Sequence, residues 1–146
     1  MIWTEKEIEE FKNLIKQSPQ ELYKSRDARV TELKDSLILK LYDAIRKSAF
    51  AKGYAILEET KLYEKEGYVG VVKELSLVDL KKGVLVGKFS SVGEAKKKEE
   101  EREMALRLAE KRARKRALEE LVGRAFINEA VLELERGEEE GLAPAP

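Results

Sequence analysis

Between Tyr54 and Ser91 apolar residues recur at every second position, and on either side of that stretch they recur at helical spacing. A period of two sends alternate side chains to opposite faces of a strand, whereas three- and four-residue spacing gathers them on one side of a helix. The chain must therefore combine a sheet with helices from both of its halves. Within YAILEETKLYEKEGYVGVVKELSLVDLKKGVLVGKFSS the alternation forms three runs, about 54–62, 67–78 and 83–91. YEKEG and DLKKG separate them, each with a glycine where a tight turn needs backbone freedom. Three strands joined by short loops predict an antiparallel meander. In the second run Tyr68, Gly70 and Val72 alternate with Val69 and Val71, so both faces of that strand are expected to be partly covered.

Upstream, Thr4 and Glu7 have capping-box spacing, and Ile8, Phe11, Leu14 and Ile15 follow at helical intervals until Ser18 and Pro19. Residues 20–32 have weak periodicity and read as a loop or a short helix. Leu37, Ile38, Leu41, Tyr42, Ile45 and Ala49 mark a second helix, which Gly53 is placed to end. Downstream, a helix is expected from about Glu94 to Leu121, Gly123 breaks or bends it, and Arg124 to Leu134 read as a further helix. ERGEEEGLAPAP, residues 135–146, has acids, Gly and Pro and predicts a disordered tail. The expectation is one α+β domain over 1–134 in the order α-α-β-β-β-α: N-terminal helices, a three-stranded antiparallel β-meander and a long C-terminal basic helix.

Lys and Arg total 29, as do Asp and Glu, so affinity for nucleic acid must come from uneven distribution of charge. Without Cys or His the chain has no disulfides, thiolate chemistry, imidazole catalysis or usual zinc and haem ligands. The only amides are Asn13, Gln17, Gln20 and Asn128, and with abundant Lys, Glu and Arg this resembles hyperthermophile composition. MIWTEKEIEEF carries acids where a signal peptide has a basic region, and no stretch reaches the ~20 apolar residues of a membrane span. A cytoplasmic protein is expected.

The charge is concentrated in LAEKRARKRALEELVGRAF, residues 108–126. Residues 107–116 hold Arg107, Lys111, Arg112, Arg114, Lys115 and Arg116 against Glu110 alone. Ala105, Ala109, Ala113, Ala117 and Leu121 form an i, i+4 stripe that lets a helix approach a sheet closely. Arg107, Lys111 and Arg114 then point to solvent, while Arg112 and Arg116 border the stripe and need carboxylates, a path to the rim or an external anion. One reading is a solvated face laced with pairs such as Glu103–Arg107. The other is a groove that tracks phosphates, extended by Lys73, Lys81, Lys82, Lys88, Lys96, Lys97 and Lys98. Tyr54, Tyr63, Tyr68 and Phe89 lie in or beside the strands, where exposed rings stack on bases and covered ones belong to the core.

From Gly67 to Asn128 the chain resembles the core of single-strand annealing recombinases, of the eukaryotic recombination-mediator type and the phage essential-recombination-function type. YVGVVKELSLVDLKKGVLVGKFSSVGE is similar to their strand meander with a Lys-Gly hairpin, and RARKRALEELVGRAF to their long helix. LYDAIRKSAFAKGYAILEE resembles the short helix that leads into the first strand of the phage type. The resemblance implies a homo-oligomeric ring that holds single-stranded DNA in a basic groove and anneals complementary strands without ATP or cofactor, in recombination or repair. Arg114 and Lys115 match the paired basic positions, beside Arg112 and Arg116. Arg112 and Arg116 stand where the phage type usually has aromatics.

Three other readings compete. The order α-β-β-β-α also fits a double-stranded RNA-binding module, with GKFSSVGEAKKKEE leading into its second helix. Glu59 and Lys61, with Asp43 upstream, have the carboxylate and lysine of a metal-dependent nuclease, although Glu32–Lys34 and Glu94–Lys96 repeat that spacing. A non-enzymatic oligomeric interaction protein would use the same sheet edges. The reading carried forward is a non-enzymatic single-stranded DNA-binding protein, with Arg107, Lys111, Arg112, Arg114, Lys115, Arg116, Lys88, Lys96, Lys97 and Lys98 on the backbone and Tyr54, Tyr68 and Phe89 on bases.

Overall fold

The computed structural model describes residues 2–24, 30–97 and 102–142. Its elements are α1 (Glu5–Lys16), β1 (Leu22–Lys24), β2 (Thr31–Leu33), α2 (Asp35–Ala51), β3 (Tyr54–Lys65), β4 (Tyr68–Asp79), β5 (Val84–Lys96), α3 (Arg102–Val122) and α4 (Phe126–Leu142), with a 3-10 turn at Pro19–Glu21. The fold is α+β. β3, β4 and β5 form an antiparallel meander in that order, as the alternation predicts, and β1 pairs with β2 in a small separate hairpin.

Three elements differ from their expected form. Over 20–32, where a loop or short helix is expected, Leu22–Lys24 and Thr31–Leu33 pair as strands too brief to show a period, and residues 25–29 lie outside the described residues. β5 runs to Lys96, because Gly93 and Ala95 face inward and Val92 and Lys96 outward, so α3 starts later than Glu94. The expected tail is helical as far as Leu142. Phe126, Ile127, Ala130 and Val131 anchor α4 in the core, and once a helix is anchored its glutamates extend it at little cost. Residues 143–146 lie outside the described residues.

The first helix begins as its capping box requires. Thr4 Oγ1 accepts from the Glu7 amide at 3.2 Å, and Glu7 Oε1 accepts from the Thr4 amide at 3.2 Å. Glu7 also accepts from Ser48 Oγ at 3.0 Å and Lys52 Nζ at 2.5 Å, which ties α1 to α2. The Lys52 ammonium, with help from Thr4 and Ser48, outweighs partial burial and holds the Glu7 carboxyl down at about 2. Gly53, at φ 88°, ends α2 and turns the chain into β3.

The inward row of β4 reads Val69, Val71, Lys73, Leu75 and Leu77, all buried. Lys73 divides the interior in two. On one side Leu75 and Leu77 join Ile56, the buried faces of α1, α2 and α4, and the end of α3 at Ala117, Leu118, Leu121 and Val122. On the other, Val69, Val71 and Ala95 meet Ala105, Ala109 and Ala113. There α3 presses onto β5 so closely that a Cβ at Gly93 would overlap the Ala109 carbonyl oxygen and the Ala113 amide nitrogen. Backbone cannot swing aside as a side chain can.

Two predictions follow from these contacts. Gly93→Ala is expected to lower stability by about 2 kcal/mol or more through overpacking, seen as an earlier midpoint in urea unfolding. The Glu7 carboxyl sits below its ordinary 4.5, so its contribution is present above pH 4.5 and disappears as pH falls towards 2. Urea midpoints of the parent chain and Glu7→Gln should differ clearly at pH 7, draw together below pH 4.5 and meet only as pH reaches about 2.

Candidate nucleic-acid interface

The outer side of α3 is roofed by the β1–β2 hairpin. Glu32 of β2 reaches down so that Oε1 lies 2.9 Å from Arg112 Nη2 and 3.1 Å from its Nε, while Oε2 lies 3.0 Å from Lys111 Nζ. Tyr23 donates its hydroxyl to Oε2 at 3.1 Å, and its ring centroid lies 4.3 Å from Lys111 Nζ. Under this roof Lys111 is only 6% exposed, which corrects its expected place in solvent. Burial pushes its ammonium down to about 8, and Arg112 beside it adds to the shift.

Arg114, 9% exposed, is likewise inside. It turns towards the sheet and meets Glu110 Oε1 at 2.8 Å, Asp35 Oδ1 at 3.5 Å and Glu58 Oε1 at 3.6 Å. Two of these carboxylates also hold Lys73, whose Nζ lies 2.5 Å from Glu58, 3.1 Å from Glu110 and 2.7 Å from Thr60 Oγ1. Burial raises Glu58, but the Lys73 hydrogen bond and the charges of Lys73 and Arg114 overcome it and hold the carboxyl below its usual range. Tyr42, against Glu58, is pushed up to about 12 by burial and then by that negative charge. Two cations are thus neutralised between the halves of the core. Lys73, read from sequence as part of a surface track, is 2% exposed and faces α3.

Arg112 and Arg116 solve a backbone problem. Arg112 Nη1 donates to the Glu94 carbonyl at 3.0 Å and Arg116 Nη1 to the Val92 carbonyl at 2.6 Å. β5 is an edge strand, and these guanidinium groups satisfy main-chain acceptors along it. Arg116 remains exposed at the surface, and among the described residues it forms no ion pair.

The other expected contacts scatter. Lys115 reaches Asn128 Oδ1 at 2.6 Å and Glu119 at 3.7 Å. Arg107 and Lys96 are exposed, Lys97 pairs with Glu64 at 3.0 Å, and Lys88 pairs with Glu74 at 3.4 Å. The exposed Lys81 and Lys82 belong to the β4–β5 turn, where their amides donate to Asp79. Lys98 lies outside the described residues. Of the aromatics, Tyr54 and Phe89 pack against the main core, which takes them from base stacking. Tyr63 covers Gly70 and donates to Glu94. Tyr68 is 40% exposed at the start of β4.

The structure therefore brings Lys111, Arg112, Lys115 and Arg116 together around one recess of about 110 Å³ between β2 and the α3–α4 corner, lined also by Glu32 and Asn128. Sequence reasoning missed Glu32, Tyr23 and Asn128. No local signal marks them, because their partners are brought up by the hairpin and by the turn at Gly123. Glu59 and Lys61 lie on the outer sheet face, and Asp43 pairs with Lys47 at 2.9 Å. Among the described residues no group of three or more acidic side chains is placed to hold a metal ion. GKFSSVGEAK forms strand β5, so its lysine end is not the start of a helix as the duplex-RNA reading expects.

No protein-family model matches the chain, and no curated protein matches it.

The two central basic positions are expected to separate on mutation. Arg114→Ala leaves Glu58 and Glu110 with one cation fewer and should cost about 3 kcal/mol. Lys115→Ala, at the surface, should cost under about 1 kcal/mol. Thermal unfolding of the two single variants checks both.

Proposed function

We propose that this protein binds single-stranded DNA through the surface at the α3–α4 corner and promotes annealing of complementary strands, as a non-enzymatic oligomer acting in recombination or repair. The observation that carries the reading is the recess where Lys111, Arg112, Lys115 and Arg116 surround one carboxylate. The resemblance of the meander and the long helix to annealing recombinases supports it. Arg107, Arg112, Lys115 and Arg116 carry the backbone contact in this reading. Lys111 sits behind them, and Arg114 is a structural ion. Tyr68 is the remaining stacking candidate. Recognition is electrostatic, and no covalent step is involved.

The meander supports self-association as well. β3 forms one edge of its sheet, with Leu57 and Leu62 exposed, and the Val84–Val86 end of β5 is apolar and exposed. An exposed edge of this kind is a template on which another chain can pair. A protein–protein module that uses these edges without nucleic acid is the second reading.

Fluorescence anisotropy of a labelled oligonucleotide tests the proposal. At ~50 mM salt the protein should bind, and three or four phosphate contacts give a slope of log K against log salt of about −2 to −3. The double variant Arg107→Ala, Lys115→Ala should flatten that slope by about one while the melting temperature stays within ~2 °C. Absence of binding at ~50 mM salt refutes the reading, and a clear preference for duplex RNA favours the double-stranded RNA-binding alternative.

A further inference from the structure

We infer that the recess between β2 and the α3–α4 corner is a phosphoryl-binding site, and that the Glu32 carboxylate is the internal anion a phosphoryl group displaces. For a nucleic-acid phosphate this rests on the proposed function, whereas for free phosphate it stands alone.

Charge is the first argument. Four cations line the recess against one lining carboxylate, and Glu119, beside it, meets Lys115 at 3.7 Å and the Asn128 backbone. A site serving structure alone would tend towards neutrality, as the Lys73 and Arg114 cluster does with Glu58, Glu110 and Asp35. Here positive charge is left over.

Donor geometry is the second. Glu32 takes Nε and Nη2 of Arg112 on one oxygen, and Lys111 and the Tyr23 hydroxyl on the other. A planar carboxylate has no further oxygen for Lys115 and Arg116. Arg116 leans instead on the neutral Val92 carbonyl, and Lys115 on Asn128 Oδ1 at 2.6 Å with Glu119 farther off at 3.7 Å. A tetrahedral phosphoryl group presents one or two more oxygens on the same centre, and arginine is suited to it. The recess, about 110 Å³, exceeds the ~30 Å³ of a single water several-fold.

The placement of Glu32 is the third. It sits on a three-residue strand whose sheet is only the β1–β2 pair, next to Val30, which is 55% exposed. Leu33 in the core and the Thr31 hydroxyl on Glu135 hold that strand from either side of Glu32, so the carboxylate can turn away while the strand and the meander stay in place. The carboxylate thus keeps the buried Lys111 neutralised when no ligand is present and competes with any anion that arrives.

Glu32→Gln in the full chain tests this, with inorganic phosphate and a single-stranded oligonucleotide as probes and sodium chloride at matched ionic strength as control. The variant should melt earlier than the parent in phosphate-free buffer. Phosphate at about ten times its dissociation constant should restore ~3–5 °C, while chloride restores none. Oligonucleotide affinity should rise about tenfold on the same substitution. If Glu32→Gln does not fold, Glu32→Asp retains the charge on a shorter arm and should show the phosphate response in smaller measure. A variant whose melting is lowered equally in phosphate and chloride overturns the inference, even where the parent chain binds DNA. Rescue by phosphate with no oligonucleotide binding by either chain upholds the site, assigns it to a small phosphorylated ligand and refutes the proposed function.

Discussion

Where α3 crosses Gly93 its backbone lies directly on that of β5, and much of the charge distribution of the molecule follows from that closeness. Ala105, Ala109 and Ala113 meet Val69, Val71 and Ala95, and Gly93 admits the helix where a Cβ would strike it. A helix drawn so near the sheet cannot keep its flanking side chains in water. Arg114 is enclosed as a result, Lys111 is closed over from the opposite side by the β1–β2 pair, and each needs a carboxylate from a distant part of the chain. Glu32 serves one and Glu58 the other.

That requirement explains where sequence reading succeeded and where it stopped. The change of period from four to two and back is a local property, so the helices and the meander were legible, as were the capping box at Thr4 and the glycine stop at Gly53. The stripe of alanines was legible too, together with the close approach it permits. The burial of Lys111 was not, because it depends on a hairpin whose strands span three residues each, and that of Arg114 was not, because it depends on Glu58 and Asp35 from distant elements. Among the acids holding these two cations, only Glu110 stands at a spacing that a helical reading detects. The length of α4 escaped for a related reason: its glutamates look like a solvated tail until Phe126 and Ile127 are seen in the core.

The basic helix is neither a fully solvated face nor a fully open groove. Its inner cations belong to the architecture, two guanidinium groups belong to the edge of β5, and a smaller cationic surface is left where the helix turns towards α4. An annealing protein needs a track of positive charge that a flexible polyanion can enter. In the proposed reading that track is shorter than the run of basic residues suggests, and the Glu32 carboxylate already lies in it. Affinity would then be set as much by how readily the hairpin releases Glu32 as by the number of cations.

Arg112 and Arg116 are one helical step of four apart and grip carbonyls two strand residues apart. Four residues of helix advance about 6 Å, and two residues of strand about 6.6 Å. The two scales are nearly commensurate, so α3 and β5 mesh like a rack against a ratchet. Because the teeth on the strand side are peptide oxygens, the side chains at Val92 and Glu94 are free to drift through evolution without loosening the grip. The spacing between the two arginines has no such freedom: a single inserted residue would swing one of them about 100° off the strand and bare an acceptor.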